Sequence, residues 1–191
     1  MKAIFYWPAK PYIVNQAWGI SNPIYKQFGF SRHNGIDIRL GTDSKLYAPC
    51  KGTIVRTGYQ PEGGGNFFGL ISEPMEFEDG TYRTLIDFLH CESISVIEGQ
   101  VVDIGDLLAV ADNTGFSTGH HTHLQPRRAS FWNGLSGNDL IWDEADKNDA
   151  NNSYDISKYW GKCYAQDYYK LVGYLQTIII LLSRLLALQS K

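Results

Sequence analysis

Between residue 4 and about residue 125 the chain is written in short β-branched or aromatic runs broken by turn residues. Lys51-Gly52-Thr53-Ile54-Val55-Arg56, Tyr82-Arg83-Thr84-Leu85-Ile86-Asp87-Phe88 and Gln100-Val101-Val102-Asp103-Ile104 are such runs; Gly63-Gly64-Gly65-Asn66, Asp79-Gly80 and Glu98-Gly99 are such breaks. Runs this short suit strands, and their regular interruption predicts a compact antiparallel β-sandwich or barrel. No repeat with a period of 20–50 residues is present, which excludes a solenoid or propeller. Nineteen Gly, seven Pro and 14% aromatic residues in a chain of 191 agree with a turn-rich β protein.

The pattern changes after residue 128. Residues 129–153 are polar and rich in Asn and Asp, with Asn133-Gly134, Gly137-Asn138 and Asn148 to Asn152, and read as loop. From Ala165 onward the period is helical. The expected organisation is a core at 1–128, a polar loop or linker packing on that core at 129–164, and an apolar C-terminal α-helix at 165–191. Within the helix Leu171, Leu175, Ile178, Leu182 and Leu185 step by 4, 3, 4 and 3, a heptad seam broadened by Ile179, Ile180 and Leu186. Gln176 and the costly Arg184 disfavour a lipid span, so the seam predicts self-association, with a membrane or virion surface as the other occupant.

Charge follows the same division. Residues 1–161 hold 13 basic and 19 acidic side chains, net −6, whereas 162–191 hold 4 and 1, net +3. The overall −3 offers nothing to neutralise a row of phosphates, so nucleic acid is not an expected partner. Cys50, Cys91 and Cys163 form neither a Cys-x-x-Cys pair nor an even disulfide set, and read as buried small hydrophobes. The first residues, Met-Lys-Ala-Ile-Phe-Tyr-Trp-Pro, carry no secretory apolar run, which predicts synthesis in a cytoplasm.

The chemistry lies in five histidines: His33, His90, His120, His121 and His123. In His33-Asn34-Gly35-Ile36-Asp37 a spacing of four brings imidazole and carboxylate to one side of a helix or strand, and Ile36 and Ile38 favour the strand. Such a pair suits zinc. In Gly119-His120-His121-Thr122-His123, strand alternation turns His121 and His123 to one face and His120 with Thr122 to the other. Three protein ligands with a fourth position open is the arrangement of catalytic zinc. The helix motif His-Glu-x-x-His is absent.

In order along the chain stand His33-x-x-x-Asp37, Ala48-Pro49-x-x-Gly52, Gly63-Gly64-Gly65-Asn66, Leu89-His90, Gly99-Gln100 and Asn113-Thr114-Gly115-x-Ser117-Thr118-Gly119-x-His121-x-His123. Together they resemble the lysostaphin-type (LytM-like) zinc metallopeptidases of bacterial cell walls, over roughly residues 5 to 128. The resemblance implies the duplicated hybrid-motif β-fold with a narrow groove, one Zn²⁺ per chain held by His33, Asp37 and His123, and His90 and His121 as catalytic histidines off the metal. Three positions depart from the family: His120 stands where Pro is common, Gln125 where Glu is common, and Cys91 where Leu is common.

The resemblance implies a hydrolase that cuts peptidoglycan peptides at a stem crosslink or an interpeptide bridge. One of His90 and His121 takes a proton from water and the other assists at the oxyanion, in either assignment. The lack of a leader points to a phage lysin or virion-associated enzyme acting at the wall. The competing expectation is a catalytically inactive relative that binds wall peptides as a scaffold. Tyr82, Asp87, Trp132 and Trp142 are either groove-lining or, more in keeping with their surroundings in sequence, core and loop residues.

Overall fold

The computed structural model describes residues 1–131, 141–142 and 153–189. Its strands, in chain order, are β1 (Phe5–Trp7), β2 (Val14–Gln16), β3 (Ile36–Arg39), β4 (Lys45–Tyr47), β5 (Gly52–Gln60), β6 (Gly65–Ser72), β7 (Met75–Phe77), β8 (Gly80–Ile94), β9 (Val101–Val102), β10 (Leu107–Ala111), β11 (His121–Phe131), β12 (Ile141–Trp142) and β13 (Trp160–Tyr164). A helix, α1 (Ala165–Gln189), follows. The mostly-β antiparallel architecture with one C-terminal helix is the one the alternating runs predict.

Eleven strands share one sheet, whose main path runs β2-β3-β11-β8-β6-β5-β9 with antiparallel neighbours. The long strands β8 and β11 lie side by side at its centre, with His123 opposite Leu89 and Gln125 opposite Asp87. β3 flanks β11 on its other edge, with Asp37 opposite His123.

Alternation sorts the side chains. Ile36, Ile38, Phe68, Leu70, Ile86, Phe88 and Leu124 enter the main core with Phe5, Trp7, Leu46 and Ile54. Phe68 and Phe88 stack there at 4.7 Å. Ile71, Leu85 and Ala129, with Val55, form a smaller cluster on the opposite side. Cys50 and Cys91 are buried and free, and burial pushes both thiols up to about 12, as suits small packing residues.

Within residues 129–164 the described part contributes structure of its own. β13 pairs in parallel with β1, and Trp160 packs edge-on against Phe5 and Trp7. Ile156 is wholly buried. The Asn/Asp-rich segments around 133–138 and 148–152, and Trp132, lie outside the described residues.

Helix α1 begins on the body and then leaves it. Asp167 pairs with Lys10 at 3.0 Å, and Tyr168 meets Tyr6 at 4.3 Å between ring centroids. Beyond that every described apolar residue of the expected seam is exposed, from Leu175 and Ile178 at 50% to Leu171 at 56%.

Candidate metal centre and catalytic groove

The sheet delivers the site. Asp37 sits on β3 and His123 directly opposite on β11, while His33 comes from the turn that leads into β3. Their donor atoms converge: His33 Nε2 lies 3.2 Å from Asp37 Oδ1 and 3.0 Å from His123 Nδ1, and His123 Nδ1 lies 2.9 Å from Asp37 Oδ1. Gly35 makes room for this approach. A Cβ there would meet His123 Nε2 and the Leu124 carbonyl at 2.4 Å.

The protons say what the cluster wants. A carbonyl only accepts, so His33 Nδ1 donates its proton to Ala17 O at 2.9 Å and turns Nε2 to the cluster. Burial holds His123 below the usual imidazole range, against the opposing pull of Asp37. Burial works against ionisation of Asp37, but hydrogen bonds from His123 and His33 prevail and hold its carboxyl well below the usual carboxylate range. One carboxylate oxygen and two imidazole nitrogens therefore face one point, where a cation would displace the protons they share. Ligands on a tetrahedral zinc at 2.0–2.2 Å stand roughly 3.3–3.6 Å from one another, so the donor set fits a zinc-sized cation with modest widening. Among the described residues this trio is the group able to hold a metal.

His90 and His121 flank the trio, with ring centroids 4.9 Å apart. His121 Nδ1 donates to Gly119 O at 2.7 Å, with Ser117 Oγ at 3.3 Å, and its Nε2 stands 3.7 Å from Asp37 Oδ1. His90 reaches the site through a β-bulge. Phe68 pairs with Phe88 but Asn66 pairs with Cys91, so β8 carries one residue more than β6 between these points. His90 takes φ 65°, in the left-handed region, and turns to the groove beside Leu89, while Phe88 and Cys91 both remain in the core. Its Nδ1 donates to Thr114 O at 2.8 Å, leaving Nε2 as the bare nitrogen. Burial pushes its pKa down to about 4, helped by His121 and His123 and opposed by the Thr114 bond.

The groove around these residues has a volume of about 440 Å³. Gly63 and Gly64 of the β5–β6 turn form part of one wall. Tyr25, Phe28 and Phe116 were not singled out from sequence and line it as well. Tyr25 stacks on His33 at 5.4 Å, and its hydroxyl accepts a hydrogen bond from Gln16 Nε2. Nothing in the local sequence marks these aromatics as distinct from core residues.

Other candidates fall elsewhere. His120 turns away, as alternation predicts, with Nε2 2.9 Å from Ser44 Oγ. Gln125 lines the groove and supplies no anion to the metal group. Asp87 is buried one register step along the same face, held by Arg56 (Nε–Oδ1 2.9 Å) and by Arg127, which also lowers its pKa against the effect of burial. Tyr82 stacks on Phe77 at 4.0 Å beneath the Arg128 guanidinium, so neither residue is groove-lining. The side chain of Trp142 lies outside the described residues.

Residues 31–135 match the model of peptidase family M23, and this stretch contains the candidate residues His33, Asp37, His90, His121 and His123. The chain belongs to peptidase family M23. It is 28% identical over 134 residues to the glycyl-glycine endopeptidase ALE-1 of Staphylococcus capitis, covering 66% of this chain and 35% of that one. Among solved structures, lysostaphin from Staphylococcus simulans superposes with a TM-score of 0.51 at 25% identity, over 73% of this chain and 53% of the other. A zinc-containing peptidase from Vibrio cholerae shares the fold with a TM-score of 0.53 at 19% identity, over 81% and 41%. The M23 chain described here thus spans about a third of ALE-1 and about half or less of the two solved chains.

Proposed function

We propose that the chain is a zinc-dependent endopeptidase that hydrolyses a peptide bond in bacterial peptidoglycan, with an uncharged bridge as the preferred target. The convergence of one carboxylate and two imidazole nitrogens within 3.2 Å of one another, beside two further imidazoles, carries this reading. His33, Asp37 and His123 would hold a zinc ion, which would supply Lewis acidity to activate water and polarise a carbonyl.

The chain's own residues do the rest. His121 Nε2, the bare nitrogen nearer the trio through Asp37, takes the proton of the attacking water. His90 stays neutral and accepts the second hydrogen of that water through its own Nε2, so the oxygen lone pair points at the scissile carbon. The proton on His121 then passes to the departing amine. This refines the open assignment: the Thr114 bond keeps the His90 proton on the far nitrogen, which suits orientation of water rather than donation to an oxyanion.

The walls support the choice of bond. Among the described residues lining the groove there is no Lys or Arg, and the one carboxylate is Asp37. A diaminopimelate crosslink presents a free carboxylate beside the scissile amide and calls for a cation; a glycine bridge does not. Gly63 and Gly64 also allow a side-chain-free backbone to lie close. The name of ALE-1, a glycyl-glycine endopeptidase, points the same way. Digesting purified walls of glycine-bridged and diaminopimelate-linked type with the full chain, then identifying new amino termini by mass spectrometry, tests the proposal. New amino-terminal glycine from the bridged wall is expected; an unchanged digest of both walls contradicts it.

We further infer that α1, for which the heptad seam alone predicts self-association, is covered by lipid instead. Ala165–Leu186 is long and apolar enough to cross a membrane. Pairing along the heptad seam leaves Ile180 and Leu181, 52% and 57% exposed, on other faces of the helix. The hydroxyls of Thr177 and Ser183 are already bonded to the carbonyls of Gly173 and Ile179, so neither needs water. Lys170 and Arg184 stand about 21 Å apart along the axis, and both side chains can extend toward the two faces of a hydrocarbon layer about 30 Å thick.

A further inference from the structure

We propose that Thr114 is the positioning residue for His90, a role that rests on the hydrolytic reading above and acts through one imidazole. The Thr114 carbonyl accepts the His90 Nδ1 proton at 2.8 Å, which decides the tautomer. What places that carbonyl is the Thr114 side chain. Its hydroxyl donates to Cys91 O at 2.8 Å, the residue after His90, and accepts from Asn66 N at 3.0 Å, the residue across the bulge. One hydroxyl therefore ties the loop before β11 to the two strands that create the bulge.

The surrounding backbone is built to admit this knot. His90 N donates to Gly64 O at 2.7 Å, and Asn66 Nδ2 donates to Cys91 O at 3.1 Å. Gly65, at φ 63°, lies so close that a Cβ would meet Thr114 Oγ1 at 2.3 Å; a Cβ on Gly115, at φ 74°, would meet Gly65 N at 2.2 Å. A left-handed conformation at a non-glycine residue persists where neighbours over-determine it. Here the hydroxyl of Thr114 is the central tie, with donor and acceptor both in use. Without it, the Asn66 amide and the loop carbonyl lose their common anchor, and the His90 ring is free to change tautomer and direction.

Thr114→Val keeps the shape and removes the hydroxyl. In the full chain it should lower kcat roughly 10–100-fold, the usual effect of losing a group that orients a site residue, with KM and zinc content unchanged. Thr114→Ser should restore most of the rate. In a His90→Ala background, Thr114→Val should cost little more, because the residue it positions is gone. A long-range proton–nitrogen NMR correlation of the imidazoles supplies a readout independent of turnover: His90 should be the Nδ1–H tautomer in the parent chain and a mixture in Thr114→Val. An equal loss of rate with and without His90, or an unchanged tautomer in Thr114→Val, overturns the proposal. Absence of any wall hydrolysis by the parent chain would count against the hydrolytic reading, while the tautomer measurement still decides the role of Thr114.

Discussion

At the scale of single residues, two pairs of imidazoles are separated by how closely they approach Asp37. His33 and His123 each bring a ring nitrogen within 3.2 Å of Asp37 Oδ1, while His121 stops at 3.7 Å and His90 is anchored to the Thr114 carbonyl. His90→Ala and His121→Ala should therefore keep one zinc per chain and lose roughly 10²–10⁴-fold in turnover, measured by metal analysis beside steady-state cleavage of a bridge peptide. Loss of zinc in either variant would put that imidazole on the metal. Acid should act through the same residues. The unfolded chain takes up the His90 proton near 6.5, but the folded chain does so only near 4, so between these values acidification favours unfolding. For the chelated protein the loss amounts to about 3 kcal/mol on going from above pH 6.5 to below pH 4, and His90→Ala should flatten the fall in Tm across that window. A parallel fall in both proteins would deny His90 this part in acid sensitivity.

At the scale of elements, β8 and β11 do most of the placing. Their pairing sets His123 beside Leu89 and, one step on, Gln125 beside Asp87, whose carboxylate joins Arg56 on β5 to Arg127 on β11. Removing that buried anion leaves two guanidiniums facing each other across the sheet. Asp87→Ala should cost about 3–5 kcal/mol of stability, seen as a lower midpoint in urea, with the metal trio otherwise intact; a shift below about 1 kcal/mol would mean the guanidiniums find other partners. These elements also show what sequence can carry. Asp37 and His123 were legible through the ordered motifs that resemble the family, and strand periodicity turned His121 and His123 to one face with His120 away from it. The His90 bulge was not legible, because its left-handed backbone is imposed by contacts with Gly64, Asn66 and Thr114, none of them local. The carbonyls of Ala17 and Thr114 are equally silent, since every residue has one. β1 and β13 escaped notice because each is short and their pairing joins positions more than 150 residues apart.

At the scale of the whole molecule, an acidic β-body carries its groove on one side and an apolar helix that the described core residues do not cover. Full-length chain should float with lipid vesicles on a density gradient, and Leu175→Glu with Leu182→Glu should release it. A full-length chain that stays off vesicles yet sediments as an oligomer would give the helix to a second copy. The catalytic account stands apart from the helix and rests on three side chains. Zinc-edge X-ray absorption of the full chain and of Asp37→Ala tests it most directly. The account predicts one zinc per chain in the parent, with nitrogen and oxygen neighbours at about 2.0–2.2 Å, two of them imidazole, and loss of that signal in Asp37→Ala. A sulfur neighbour near 2.3 Å, or an unchanged spectrum in Asp37→Ala, would contradict it.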